Sequence, residues 1–258
     1  DYTGLDNHME LSEFFTQHPR VALAFSGGVD SAYLLYAAVK SGAQVQAYYV
    51  KTAFQPQFEY EDALRLAEQL GAPLTTLRLA VLEDADMTAN PANRCYYCKR
   101  RIFTAITSAA RRDGFQILLD GTNASDQVSD RPGMKALQEL SVLSPLRLCG
   151  LTKDEIRRRS RQAGLFTWNK PAYACLATRI PTGTAITQAD LEKTERCEAF
   201  LMKLGFSGFR VRLMDGCARL EMPEDQLPAL LTQREAVVRE LKKDYKKVLL
   251  DLEVRREQ

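Results

Sequence analysis

Residues 21–31 read Val21-Ala-Leu-Ala-Phe25-Ser26-Gly27-Gly28-Val29-Asp30-Ser31 and predict a strand, a tight turn and the start of a helix. The first five residues are apolar, which is typical of a buried strand in a parallel sheet. Two glycines follow, and their backbone N–H groups can come close to a ligand. Asp30 is expected to cap a helix whose apolar positions recur at helical spacing. A glycine turn leading into a helix N-terminus favours an anion, because free N–H groups and the helix dipole both point at it.

This turn is not a Walker phosphate loop, because no Lys follows the glycines and the loop is short. An ordinary strand-to-helix turn without a ligand is the alternative interpretation of the same residues. If an anion binds here, the candidate contacts are Ser26, Gly27, Gly28, Asp30 and Ser31.

Composition indicates a globular protein of one large or two ordinary domains. The chain has 258 residues, of which 45% are hydrophobic and 26% charged, and its formal net charge is +2. The sequence shows no apolar run of about 18 residues and no secretory signal pattern, so no membrane association is expected. Six cysteines in an α/β-type chain favour a reducing, cytoplasmic compartment. The small net charge, without a recognisable RNA-binding module, does not favour nucleic acid as a partner.

Strands and helices alternate along the first part of the chain, which predicts an α/β fold with a doubly wound parallel sheet. The predicted strands there are Val21–Phe25, Val45–Val50, Leu74–Leu79 and Ile117–Leu119. A smaller α+β domain is predicted to follow, with helices at Leu191–Leu204 and Leu227–Leu241, a hairpin around Asp215-Gly216 and a last strand at Lys247–Leu252. We therefore expect a nucleotide domain over residues 1–183 and a C-terminal substrate or oligomerisation domain over residues 184–258.

Polar residues follow the fourth predicted strand in the segment Asp120-Gly121-Thr122-Asn123. Ligands of doubly wound sheets bind beyond the carboxyl ends of the strands, where this segment and the glycine turn would both emerge. Carboxylates there can hold Mg²⁺ against phosphates, and Asp30 and Asp120 are the candidates. Arg131 can bind phosphate or carboxylate through two hydrogen bonds. A polar surface loop without a ligand is the alternative.

Two cysteines lie three positions apart at a predicted helix start, in Arg94-Cys95-Tyr96-Tyr97-Cys98-Lys99. Alone, Cys-x-x-Cys is compatible with half a zinc site, a redox pair or chance. The flanking Arg94 and Lys99 would lower the thiol pKa values and favour either chemical use. Apart from this pair and Cys175, the remaining cysteines have apolar neighbours in sequence and are predicted to be packed thiols. They are Cys149, Cys197 and Cys217.

Arg210 and Arg212 alternate on a predicted strand, so their side chains share one face. Two adjacent guanidinium groups attract an anion, and a substrate phosphate is the natural candidate. Glu198, on the preceding helix, is expected to orient one of them. Exposed salt bridging is the alternative, because such pairs are common and weak.

Several of these segments together resemble one enzyme family. Ser26-Gly27-Gly28-Val29-Asp30-Ser31 resembles the pyrophosphate loop of the PP-loop ATP pyrophosphatases, which split ATP between its α and β phosphates. The chain resembles the LarE sulfur transferases from about residue 12 to 252, through this loop and the segments Arg94–Lys99, Asp120–Asn123, Arg131–Gly133, Asn169-Lys170-Pro171-Ala172 through Arg179, and Arg210–Arg212. This resemblance implies an ATP-dependent enzyme that adenylates carboxylates of pyridinium-3,5-biscarboxylic acid mononucleotide. Sulfur then replaces carboxylate oxygen, which builds the nickel-pincer nucleotide cofactor.

The cysteines distinguish two branches of this family. One branch gives up the sulfur of its own cysteine, which sits where this chain has Ala174, and it lacks the Cys-x-x-Cys pair. Cys95, Cys98 and Cys175 together resemble the other branch, in which three thiolates hold a [4Fe-4S] cluster and one iron stays open to sulfide. Soft thiolates suit such clusters. Sacrifice of the Cys175 sulfur and purely structural cysteines are the alternatives.

Two rival functions share parts of this pattern. A tRNA thiolase of the same superfamily would bind RNA, which the near-neutral charge does not favour. A nucleotide-binding module without chemistry is a more distant alternative, because its sign would be a lost Ser-Gly-Gly-x-Asp-Ser loop and this loop is intact. Besides ATP and Mg²⁺, we expect a small-molecule nucleotide substrate, a sulfide donor and a homo-oligomeric enzyme.

Overall fold

A computed structural model describes residues 9–126 and 132–255, without the side chains at positions 132 and 133. The chain divides into two compact units. The first unit comprises Asp1–Lys51, Gln57–Leu79 and Cys95–Lys170, and the second comprises Thr52–Pro56, Ala80–Arg94 and Pro171–Gln258. The domain boundary near residue 184 stays a prediction.

The helices and strands of the described residues are numbered in chain order. The helices are α1 (Leu11–Gln17), α2 (Val29–Lys40), α3 (Gln57–Leu70), α4 (Ala85–Thr88), α5 (Arg94–Arg112), α6 (Pro132–Glu139), α7 (Pro145–Leu148), α8 (Lys153–Gln162), α9 (Gln188–Lys203), α10 (Leu227–Thr232) and α11 (Arg234–Leu241). The strands are β1 (Arg20–Ala24), β2 (Gln44–Lys51), β3 (Leu74–Arg78), β4 (Leu118–Leu119), β5 (Arg210–Met214), β6 (Cys217–Glu221) and β7 (Val248–Leu250).

The first unit is built on a parallel sheet with strand order β3-β2-β1-β4. Alternate residues of β1 enter two different cores, because successive side chains of a strand point to opposite faces. Val21 and Leu23 pack with Leu34 of α2, whereas Ala22 packs with Ile106 of α5. Burial of both faces explains why β1 is a continuous apolar run. The predicted α/β fold with a parallel sheet is confirmed.

The second unit contains a three-stranded sheet of order β5-β6-β7. The predicted hairpin forms, with Leu213 opposite Ala218 in an antiparallel pair. The last strand, β7, pairs parallel to β6. Val211 and Leu220 are buried, and so are Leu201 of α9 and Leu241 of α11. This is the smaller α+β part that the sequence predicts.

Two local predictions are wrong. The N-cap of α2 is Gly28 in an extended conformation, and Asp30 lies inside the first turn of the helix. Its carboxylate is bound elsewhere, as described below. The helix expected over Leu227–Leu241 is broken at Gln233 into α10 and α11. At that break the Thr232 hydroxyl donates to the Pro228 carbonyl at 3.0 Å, a bond that often bends helices.

Within the part of the chain that the structure describes, no helix has both the length and the apolar character needed to cross a membrane.

Candidate functional site

The loop between β1 and α2 is held in shape by its two serines. The Ser26 backbone N–H donates to Ser31 Oγ at 3.2 Å, and the two hydroxyl oxygens lie 2.9 Å apart. The Gly28 N–H donates to Ser26 Oγ at 3.3 Å. Gly27 has a φ of 75°, and a Cβ there would lie 3.0 Å from the Ala63 Cβ of α3, so glycine is required. These hydrogen bonds within the loop fix the course of its backbone.

A second segment comes close to this loop because Gly121 has no side chain. A Cβ at Gly121 would lie 2.9 Å from the backbone nitrogen of Ser31. β4 pairs parallel to β1, so the carboxyl ends of both strands lie at the same edge of the sheet. The structure thus brings Ser26–Ser31 and Asp120–Asn123 together, as the predicted topology requires.

Asp120 holds its own segment in place. Its Oδ2 accepts a hydrogen bond from Thr122 Oγ1, and its Oδ1 accepts one from Ser144 Oγ at 2.6 Å. Asn123, which is also buried, accepts from the Ser125 N–H at 2.8 Å through its side-chain oxygen. These bonds give Asp120 a positioning role, and its assignment to Mg²⁺ stays a prediction.

Asp30 carries a partly satisfied carboxylate at the same edge. Lys153 Nζ lies 2.6 Å from Asp30 Oδ2. Asp30 Oδ1 is buried and makes no hydrogen bond to the described residues within the usual distance, although the Asn123 side chain is near enough to favour the charged form. Burial raises the pKa of Asp30, and the Lys153 charge opposes that rise. A buried carboxylate oxygen whose hydrogen bonding is incomplete is suited to a cation.

Lys170 places a second ammonium group beside the loop. Its Nζ lies 2.9 Å from both Glu59 Oε1 and Asp62 Oδ2 of α3, and it donates to the Gly27 carbonyl at 3.5 Å. Burial raises the pKa of Glu59, and Lys170 opposes that rise. Lys170 therefore links the glycine turn to α3 through these ion pairs and this hydrogen bond.

In the second unit a fully buried ion pair joins Arg179 and Glu198. Arg179 Nε lies 2.7 Å from Glu198 Oε1, and its Nη2 donates to Oε2 at 3.0 Å. The Tyr173 hydroxyl and the Val211 N–H also donate to this carboxylate, at 2.5 and 3.0 Å. Glu198 therefore orients Arg179, and the expectation that its ion pair is with Arg210 or Arg212 is wrong. Sequence alone cannot show which of several arginines is nearest a given carboxylate.

Arg210 and Arg212 have different surroundings. Arg210 is buried, lies over the Tyr173 ring and donates to the backbone carbonyls of Phe209 and Ala172. Burial, together with the charges of Arg179 and Arg255, lowers its pKa to about 10. Arg212 is half-buried and donates to Glu221 Oε1 and to the Thr178 carbonyl, both at 2.6 Å. Arg212 is therefore the more accessible cation of the pair.

The cysteines fall into two groups. Cys95 is exposed and Cys98 half-buried, and both lie near the start of α5. The half-buried Cys175 precedes the 3-10 turn Leu176–Arg179 in the second unit. Cys149 and Cys197 are buried, as predicted, and burial raises their pKa values to about 11 and about 12. Cys217 was predicted to be packed but is half-buried.

Cys95 and Cys98 lie three positions apart near the start of α5, a spacing that suits two ligands of one metal cluster. Among the described residues, no group of three or more His, Cys, Asp or Glu side chains is arranged to hold a metal ion. The [4Fe-4S] cluster with Cys95, Cys98 and Cys175 thus stays a prediction from the sequence. Lys99 is half-buried beside the pair, and Arg131 lies outside the described residues.

Comparison with known proteins identifies the family. A family model described as "Thiamine biosynthesis protein (ThiI)" matches residues 15–202. The chain is 33% identical to the pyridinium-3,5-bisthiocarboxylic acid mononucleotide synthase of Lactiplantibacillus plantarum over 236 residues, which is 90% of this chain and 86% of that enzyme. The chain belongs to the LarE family. It is also 36% identical to an uncharacterised protein of Synechocystis sp. over 86% of this chain and 84% of that protein.

The match to a tRNA thiolase covers a smaller part of the chain than the match to the synthase. The tRNA-specific 2-thiouridylase MnmA of Thermotoga sp. is 28% identical over 196 residues, which is 58% of this chain and 54% of that enzyme. The synthase match covers far more of both proteins. Membership of the LarE family, with its PP-loop ATP pyrophosphatase fold and enzymatic activity, is therefore the better-supported assignment, and the tRNA thiolase alternative is not favoured.

Sequence reasoning missed two lysines of the candidate site. Lys153 lies within the capping box Thr152-x-x-Glu155, in which the Thr152 side chain accepts from the Glu155 N–H. That motif says nothing about a partner on α2. Lys170 stands in the Asn169-Lys170-Pro171 segment that contributed to the resemblance, and its separation from any predicted helix was a signal that it serves a site.

Proposed function

We propose that this protein is an ATP-dependent sulfur transferase that converts carboxylates of pyridinium-3,5-biscarboxylic acid mononucleotide into thiocarboxylates. The match to the synthase over 90% of the chain supports this substrate. The observation that carries the ATP half of the proposal is the preformed loop, in which Ser26 and Ser31 bind each other beside the N-terminus of α2.

The first chemical step would be formation of an acyl-adenylate. A substrate carboxylate oxygen attacks the α-phosphorus of ATP, the bond between that phosphorus and the αβ-bridging oxygen breaks, and pyrophosphate leaves. The loop Ser26–Ser31 would hold the departing phosphates, with Gly121, Thr122 and Asn123 beside it. Asp30 would hold Mg²⁺, which when bound would neutralise phosphate charge. A sulfur nucleophile then attacks the acyl carbon, and AMP leaves with one original carboxylate oxygen.

Cys95, Cys98 and Cys175 are proposed as the thiolate ligands of a [4Fe-4S] cluster, which when bound would supply the transferred sulfur from a sulfide donor. Sacrifice of the Cys175 sulfur is the alternative for the same step. The exposure of Cys95 is compatible with a ligand that meets a group from outside the helix, whereas the buried Cys149 and Cys197 are unsuited to either role. The homo-oligomeric state stays a prediction.

The products of ATP cleavage test this function. With Mg·ATP and the biscarboxylic mononucleotide, we expect pyrophosphate and AMP to be released in equal amounts, because the Ser26–Ser31 loop resembles a pyrophosphate-binding loop. Anion-exchange chromatography of the nucleotides, with a coupled pyrophosphate assay, measures both. A reaction without the carboxylate substrate is the control and should release little of either. ADP and orthophosphate as primary products would contradict the proposal.

Arg212→Ala is expected to weaken binding of the mononucleotide substrate by about 1–3 kcal/mol, as for a lost charge-assisted hydrogen bond. ATP affinity should hardly change, because Arg212 is proposed to contact the phosphate of the mononucleotide and not ATP. Titration calorimetry with each ligand separately measures both. Arg196→Ala removes an exposed ion pair with Asp244 in the same unit and is the matched control. Equal weakening of both ligands would show that Arg212 serves the fold instead.

A further inference from the structure

Lys153 occupies a position that helix energetics do not favour. It is the first residue of α8, after the N-cap Thr152. The N-terminus of a helix carries partial positive charge, so a cation there is unfavourable. The next two residues, Asp154 and Glu155, have the charge that this end prefers. Lys153 is therefore placed where it is for a reason other than the stability of its own helix.

The partner of Lys153 supplies that reason. Its Nζ lies 2.6 Å from Asp30 Oδ2, while the side chains of Lys153 and Asp30 remain 32% and 22% exposed. Ion pairs with this much solvent contact contribute little to folding stability. The other carboxylate oxygen, Asp30 Oδ1, is buried without a hydrogen bond to the described residues. One oxygen of the carboxylate is thus taken by a cation on a flexible side chain, and the other is buried near the Asn123 side chain without a hydrogen bond of the usual distance to the described residues.

The base of the lysine side chain is fixed to the candidate nucleotide segment. The Lys153 backbone N–H donates to Ser125 Oγ at 3.0 Å, and the Ala124 N–H donates to the Leu151 carbonyl at 2.8 Å. The four-carbon stem of lysine is flexible, so its ammonium group can move several ångströms while the backbone stays in place. Any new partner of Lys153 must therefore lie near the Asp120–Asn123 edge, where the phosphates are proposed to bind.

We infer that Lys153 is a resident cation for Asp30 that moves to a phosphate oxygen when Mg·ATP binds. The inference rests on the proposed function only in requiring ATP at the Ser26–Ser31 loop. A divalent cation beside Asp30 repels the ammonium group, while the incoming phosphates attract it. Without nucleotide, the Lys153 ammonium group thus competes with the metal for Asp30. With Mg·ATP bound, it stabilises the nucleotide through a phosphate oxygen.

Lys153→Met tests this exchange because it keeps the length of the side chain and removes the charge. Without nucleotide, Mn²⁺ as a paramagnetic probe should bind about 3–10-fold more tightly, since the competing cation is gone. Mg·ATP should bind at least about tenfold more weakly, since a charged contact to phosphate is lost. Lys153→Arg should recover most of the Mg·ATP affinity. Arg158→Met, which removes an exposed charge from the same helix, should change neither affinity.

The two affinities move in opposite directions only if the lysine changes partners. Mn²⁺ binding that is unchanged or weaker in Lys153→Met overturns the inference, because the lysine then does not compete for Asp30. Unchanged Mg·ATP affinity also overturns it. A wild-type chain that binds no Mg·ATP overturns the proposed function and this inference with it, so the two failures are distinguishable. Circular dichroism melting shows that each variant is folded, and Lys153→Gln, which also removes the charge, replaces Lys153→Met if the latter is not.

Discussion

Asp30→Asn is expected to lower the rate of substrate adenylation by about 10²–10³-fold while the fold stays intact. The substitution keeps the size of the side chain and removes the charge that would hold Mg²⁺. Asp30 is not an N-cap, since Gly28 has that position, and its side chain lies at the edge of the sheet instead of in the core. The measurement is pyrophosphate release per turnover with saturating Mg·ATP, together with the melting temperature.

Asp190→Asn is a close control for this variant. Asp190 also lies in the first turn of a helix, α9, and also pairs with a lysine at 2.6 Å, Lys193. Its exposed fraction, 19%, is near the 22% of Asp30. Asp190→Asn should keep the wild-type rate. An adenylation rate of Asp30→Asn close to that of the wild type would contradict the proposal that Asp30 holds Mg²⁺. Equal losses of rate in both variants would show that removing any carboxylate from the first turn of a helix slows the enzyme.

The sheet of the first unit could be predicted because its information is local. β1 is a continuous apolar run, and two glycines mark where it turns into α2. The meeting of Ser26–Ser31 with Asp120–Asn123 then follows from topology, since parallel strands end at the same edge. The structure shows this meeting directly, because the Gly121 backbone lies so close to Ser31 that a side chain at position 121 would not fit.

The ion pairs of the site could not be predicted, because they join residues far apart in sequence. Lys153 and Asp30 are separated by 123 positions. Glu198 binds Arg179, whereas the sequence pattern led us to expect that it orients Arg210 or Arg212. A local pattern indicates that a residue is charged and on which face of a strand it lies. Which opposite charge it meets depends on how helices pack across the unit.

Single changes of Cys95, Cys98 or Cys175 to Ala are expected to abolish sulfur transfer together with the broad visible absorption of a [4Fe-4S] cluster. Substrate adenylation should stay measurable, because the Ser26–Ser31 loop proposed to bind ATP runs from the end of β1 into α2 and contains no cysteine. The measurements are thiocarboxylate formation by mass spectrometry, iron and sulfide content after anaerobic reconstitution, and pyrophosphate release. Cys217→Ala, at a half-buried thiol near Asp215, is the control and should leave all three unchanged.

Sacrifice of the Cys175 sulfur predicts a different pattern from the same variants. Only Cys175→Ala would then lose sulfur transfer, activity would stop after one turnover, and the spent protein would be lighter by one H₂S. The Cys95→Ala, Cys98→Ala double variant separates the two hypotheses most sharply. These two residues both lie near the start of α5, so the double variant changes one helix and leaves the Ser26–Ser31 loop as it is. Continued sulfur transfer by the double variant would establish sacrifice of the Cys175 sulfur. Loss of sulfur transfer with adenylation retained would assign Cys95 and Cys98 to the cluster, because the loss of a thiol that only packs would not affect sulfur transfer while sparing adenylation.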